Sequence, residues 1–124
     1  MFQKNAVVKA RKAIESMYDG ICTITEYKEY IKPNKSTGYH EVVVLEEQPC
    51  RLSFSSSPNT NQTETAAQLV QTIKLFLAPE IRVQAGSKVT VTQNGVITEY
   101  KSSGEPSLYQ THQEIMLELF KGWA

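Results

Sequence analysis

The sequence predicts a mainly β fold: a small antiparallel β-barrel or sandwich with an N-terminal α-helix and one long polar loop. Three observations carry that expectation. Asn94-Gly95 separates two apolar-alternating segments, runs of β-branched and aromatic residues are joined by short turn sequences, and a helical period is confined to the start of the chain. No β and α units alternate, no repeat of domain-building period occurs, and no linker divides the 124 residues. The expected organisation is therefore one domain over 1–124, with a helix at 1–19 and a β-domain at 20–124 that carries a mobile loop at 55–65.

The elements follow in order. Val7, Ala10, Ile14 and Met17 recur at three and four residues while Lys4, Arg11, Lys12 and Glu15 fall elsewhere, which is the pattern of an amphipathic helix. Such a stripe ordinarily packs on a core; the alternative is docking onto another subunit. Asp19-Gly20 is the expected stop, with Gly20 suited to a left-handed residue. Residues 21–30, rich in Ile, Thr and Tyr, form a first strand. A turn-rich stretch at 32–38 returns the chain into a second strand through Val42, Val43, Val44 and Leu45, with a bend or bulge at Gln48-Pro49. Cys50, Leu52 and Phe54 then resume the alternation.

Residues 55–65 contain Ser, Asn, Thr, Gln and one Pro, with Glu64 as the single charge, and offer nothing to bury. A strand follows with Leu69, Ile73, Leu75 and Leu77 on one side, then a short extra strand at 81–83. Val89 and Val91 alternate with Lys88, Thr90 and Thr92, Asn94-Gly95 supplies the two positive-φ positions of a type I′ turn, and residues 96–100 run back. In the closing strand Ile115, Leu117 and Leu119 share one face.

Composition narrows the function classes. Thirteen basic and thirteen acidic residues give a formal net charge of zero, so no global field favours nucleic acid or an anionic membrane. No apolar run is long enough to span a bilayer and the start lacks the apolar core of a secretion signal, so the expectation is an intracellular chain without a membrane partner. Cys22 and Cys50 are expected as small buried hydrophobes rather than a disulfide.

Candidate chemistry is sparse. His40 and His112 with the two cysteines lack any ligand pair at zinc-site spacing. The cysteines sit in apolar strands rather than at a helix N-terminus, and Glu46-Glu47 and Glu114/Glu118 lack a partnered base. No glycine pattern matches a phosphate loop. Asn34-Lys35-Ser36 and Asn61-Gln62-Thr63 match the glycan acceptor pattern only by chance in polar loops. Lys4, Lys9, Arg11 and Lys12 could meet phosphates, yet no aromatic residues interleave with them as stacking platforms. A solvated face, or contact with an acidic neighbouring protein, accounts for the same residues. Neither catalysis nor a metal or cofactor is expected.

The C-terminal half carries a resemblance. Gly86-Ser87-Lys88-Val89-Thr90-Val91, Asn94-Gly95, Glu99-Tyr100, Ser103-Gly104-Glu105-Pro106 and His112-Gln113-Glu114-Ile115 follow one another as strand, glycine turn, returning strand, Gly-x-Pro element and a closing strand that begins His-x-Glu. This arrangement, over roughly residues 81–121, resembles the end of the small head-tail connector proteins of long-tailed bacteriophages and prophages. The resemblance implies a small β-barrel or sandwich with a long loop, no enzymatic activity, and a homo-oligomeric ring of six or twelve copies between the portal or adaptor and the tail proteins. It places the protein at the head–tail interface of the virion, and in the host cytoplasm during assembly.

In stopper-type members the long loop projects into the DNA channel and helps close it. Carried over by position, the channel-loop candidates are Ser55, Ser56, Ser57, Asn59, Asn61 and Gln62, in transient contact with packaged DNA. Lys4, Arg11 and Lys12 are the subunit-contact candidates. The N-terminal helix is additional to the shortest family members. The reading that competes with this one is a small non-catalytic ligand-binding or accessory β-domain.

Overall fold

The computed structural model describes residues 2–58 and 69–123. Helix α1 (Phe2–Glu15) precedes seven strands: β1 (Gly20–Ile31), β2 (Thr37–Pro58), β3 (Leu69–Leu77), β4 (Lys88–Gln93), β5 (Val96–Ser102), β6 (Ser107–Leu108) and β7 (Gln113–Leu119). All pairings are antiparallel, in the order β3-β2-β1-β4-β5-β7-β6, and β3 also pairs with β7. That last pairing joins β3, at one end of the order, to β7 near the other, so the ladders form a near-barrel ring and the predicted mainly β class holds.

Alternation explains what fills it. Cys22 and Ile24 of β1, Cys50 and Leu52 of β2, Leu75 and Leu77 of β3, Val89 and Val91 of β4, Tyr100 of β5, and Ile115 and Leu117 of β7 are buried together. These side chains come from inward positions of successive strands, as a closed sheet requires. The Asn94-Gly95 turn is as expected, with φ of 54° and 77° and Gln93 facing Val96 across it. Leu119 is not buried with Ile115 and Leu117. It pairs with Tyr100 at the end of the β5–β7 ladder and is 55% exposed, because the wall ends there.

Five local expectations are corrected. Helix α1 stops at Glu15, where Met17 N–H and Tyr18 N–H donate to the Ile14 and Glu15 carbonyls in a tightened final turn. Gly20 is the first residue of β1 and serves close approach instead: a Cβ there would lie 3.0 Å from Gln93 Oε1 and 3.3 Å from the Cys50 and Thr92 carbonyl oxygens. The bulges of β2 precede Pro49, which stays in register opposite Ile21. They fall where β1 steps from Cys22 to Ile24 and from Ile24 to Thr25, and Glu47 takes a φ of 54° at the first of them.

Residues 81–83 form no strand. Gln113 is buried and its amide Nε2 donates to the Ala78 and Ile81 carbonyls, so this segment is tied down by a side chain while Val83 and Ile81 pack on the core. Finally, Ser55 and Ser56 lie within β2, opposite Thr72 and Gln71, and the ladder runs on through Ser57 opposite Val70 to Pro58 opposite Leu69. Pairing with β3 overrides the low strand propensity of the serines. The stretch that joins β2 to β3 is therefore 59–68.

Candidate interaction surfaces

Helix α1 is not a core element. Among its residues of described burial none is buried, and Val8 is 45% exposed. Arg11 Nε donates to Glu15 Oε2 at 2.8 Å one turn on, and its Nη2 donates to Glu80. These hydrogen bonds, Glu80 first, raise the guanidinium above its ordinary pKa, and the same contact with Arg11 holds the Glu80 carboxyl low. Arg51 Nη1 donates to the Met17 carbonyl at 3.1 Å just beyond the helix. Tyr18 packs beside this join with a hydroxyl that finds no protein partner, and burial pushes it up to about 12. The helix is thus tethered by polar contacts near its C-terminal end and leaves its other side in water.

The distribution of the predicted subunit-contact residues follows from this. Arg11 is engaged within its own chain, Lys12 is exposed, and the side chain of Lys4 lies outside the described residues. Of the channel-loop candidates, Ser55 and Ser56 are exposed on β2, the side chain of Ser57 is outside the described set, and Asn59, Asn61 and Gln62 lie outside the described residues altogether.

A second surface was not legible in the sequence. Beyond Thr25, where the β1–β4 ladder ends, β1 continues to Ile31 paired only with β2, so residues 26–43 form a two-stranded arm. Tyr27 stacks at its base between Tyr39, with centroids 5.5 Å apart, and Trp123, at 4.8 Å and 7° between planes. Trp123 Nε1 donates to Glu41 Oε2 at 2.9 Å, and Lys88 Nζ donates to the same oxygen at 2.8 Å. Lys88 also sits 3.6 Å from Glu99 and 5.1 Å from the Phe120 ring centroid. The hydrogen bond to Glu41 raises Lys88, and Lys88 in turn holds Glu41 low. This knot fastens the C-terminal residues to the arm across 82 positions of sequence, a separation no motif could have signalled.

A third cluster lies on β7. Thr111 Oγ1 and His112 Nδ1 are 2.9 Å apart, and His112 Nε2 and Glu114 Oε2 are 2.9 Å apart. A carboxylate accepts and does not donate, so Nε2 is the donor to Glu114, while the threonine hydroxyl can serve Nδ1 as donor or acceptor. The order hydroxyl, imidazole, carboxylate is also that of a base-activated nucleophile. Here the hydroxyl belongs to the histidine's chain neighbour, the carboxylate is shared with Lys74 at 3.4 Å, and the ring packs between Tyr109 and Phe76. That arrangement clamps the turn before β7 onto β3. Glu114 is held below its ordinary value, first by the His112 hydrogen bond and then by Lys74.

Cys22 and Cys50 are free and buried side by side; a hydrogen bond with Cys22, reinforced by burial, raises the Cys50 thiol and keeps it protonated. His40 packs edge-on against Tyr30 on the arm, far in the fold from that pair. Among the described residues no cluster of His, Cys, Asp and Glu could hold a metal ion, and no helix is long and apolar enough to cross a membrane.

No protein-family model and no curated protein matches the sequence. The fold is similar to a solved structure, that of the phage-like element PBSX protein xkdH from Bacillus subtilis, with a TM-score of 0.50 over 80% of this chain and 91% of that one, at 10% identity. At that identity the likeness is one of fold.

Proposed function

We propose that this chain is a structural head-tail joining protein of a long-tailed phage or phage-like element, which acts by assembly rather than by catalysis. In this reading it forms a homo-oligomeric ring of six or twelve copies at the head–tail interface of the virion, between the portal or adaptor and the tail proteins. The observation that carries the proposal is the fold likeness to the PBSX protein, which spans 91% of that chain. The C-terminal series of motifs noted in the sequence, which resembles head-tail connectors, supports the reading on independent grounds. The surfaces available also suit the role: a tethered but uncovered helix, and an arm that projects past the barrel wall.

Residues 59–68 are the segment assigned to the channel, with β2 and β3 paired at its base through Pro58 and Leu69. They contain amide, hydroxyl and methyl side chains with Glu64 as the one charge. A segment without cations does not hold phosphates and so does not retard DNA passing through the channel. The test is to replace 59–68 by a short Gly-Ser link and compare thermal stability with the yield of DNA-filled, tailed particles. The expected outcome is an unchanged melting temperature with a reduced yield. Wild-type yield at wild-type stability would remove the channel role.

A further inference from the structure

Charge is divided unevenly along a chain whose total is zero. Residues 2–15 carry Lys4, Lys9, Arg11 and Lys12 against Glu15 alone, whereas residues 37–50 carry Glu41, Glu46 and Glu47 with no Lys or Arg. The two stretches are thus opposite and equal in formal charge. Both are uncovered: Lys9 and Lys12 are exposed on α1, and Glu46 and Glu47 on the first half of β2. Neither lysine forms an ion pair with either glutamate within the subunit among the described residues.

Each surface also carries apolar area. Val8 and Lys12 lie one turn apart on α1 with Lys9 beside them, and Val8 is 45% exposed. On β2, Val43 and Val44 are 48% and 37% exposed and precede the two glutamates in the strand. Residues 37–50 pair only with β1, so among the described residues no strand pairs with the opposite edge of that half of β2, although residues 80–84 border a groove with Val44 and Leu45.

We infer that α1 of one copy docks on the 37–50 half of β2 of the next copy, Lys9 and Lys12 meeting Glu46 and Glu47 while Val8 packs beside Val44. The occupant is a second copy of this chain because the complementary charge and the complementary apolar patch are both present on it. The contact joins two different surfaces, which is the kind that propagates around a ring. It rests on the ring proposed above and names the surfaces that would build it.

The experiment is sedimentation velocity of the full chain across a concentration series at low salt and again at about 0.5 M salt, where exposed charges are screened. Wild type is expected to form species larger than a dimer at low salt and to dissociate in high salt. Lys9→Glu with Lys12→Glu should sediment as a monomer, and so should Glu46→Lys with Glu47→Lys. The variant carrying all four reversals should associate again, which also establishes that the reversed surfaces fold. Association of either two-site variant at wild-type strength, or no recovery in the four-site variant, would overturn the contact. A wild-type chain that stays monomeric at low salt would overturn it too, and would leave the head–tail reading untouched because that reading is judged on particles.

Discussion

Strand β1 begins inside the barrel wall and ends in the arm, and its two halves obey different rules. From Gly20 to Thr25 it is paired on both edges, with β2 and with β4, and Cys22 and Ile24 are wholly buried. From Glu26 onward it has one partner, and residues 27–31 are exposed on both faces, Ile31 at 76%. The inner half is held by burial of apolar area, which is non-directional and sums over many contacts. The outer half is held by directional contacts at one place, the Tyr27–Trp123 stack and the Lys88–Glu41 pair. Isolated two-stranded ribbons are marginal in water, so the knot at the base substitutes for the missing third strand. Stability therefore belongs to the wall, and the exposed apolar residues of the arm add little to it.

The sharpest way to break that comparison is to truncate the wall. Leu117 pairs with both Ile73 and Ser102, joining β7 to β3 and β5 where the ring closes. Leu117→Ala should cost about 2 to 5 kcal/mol in denaturant unfolding. A loss below about half a kilocalorie would mean that the closing strand does not face the core.

Next in size is the turn. Gly95 has φ of 77° with open space where a Cβ would go, so a side chain meets backbone strain and no clash. Gly95→Val should cost about 1 kcal/mol or more, read as a lower denaturation midpoint.

Smaller still is the clamp on β7. Glu114 is depressed below its ordinary 4.5 in the folded chain by His112 and Lys74. A depressed carboxyl contributes stability that is present above the unfolded value and is lost as pH falls through the folded one. Melting temperature should therefore fall between neutral pH and about pH 3, and Glu114→Gln should start lower and fall less over the same range. An unchanged pH slope in the variant would show that the clamp contributes nothing.

The smallest effect belongs to the tip of the arm. Ile31→Ser should change stability by no more than about 0.5 kcal/mol. A larger loss would show that the arm packs on something within its own chain.

These contrasts also separate what was legible in the sequence from what was not. The Asn94-Gly95 hairpin and the inward residues of β3, β4 and β7 could be read because turn chemistry and two-residue alternation are local properties. Pro49 misled because a missing N–H matters only where the ladder needs a donor; β2 beside it has an open outer edge, and the true bulge is marked by Glu47, whose residue type gives no warning. The α1 stripe looked like a core stripe, since periodicity reports amphipathicity and not what covers the apolar side. The arm and its knot escaped notice for a related reason: Tyr27, Glu41, Lys88 and Trp123 come from four separate places in the chain, and only closure of the ring brings them together. Lys12 can be placed on the basic helix face from periodicity alone, whereas the lack of a strand beside the acidic half of β2 is a property of the sheet order and not of its sequence.

The proposed role puts this chain in a ring at the joint between head and tail. Electron microscopy of assembled particles bearing a label on this chain tests it most directly. The account predicts label density as a ring at the head–tail joint of every tailed particle, in six or twelve copies. Label confined to the capsid shell or the tail tip, or absent from complete particles, would contradict it.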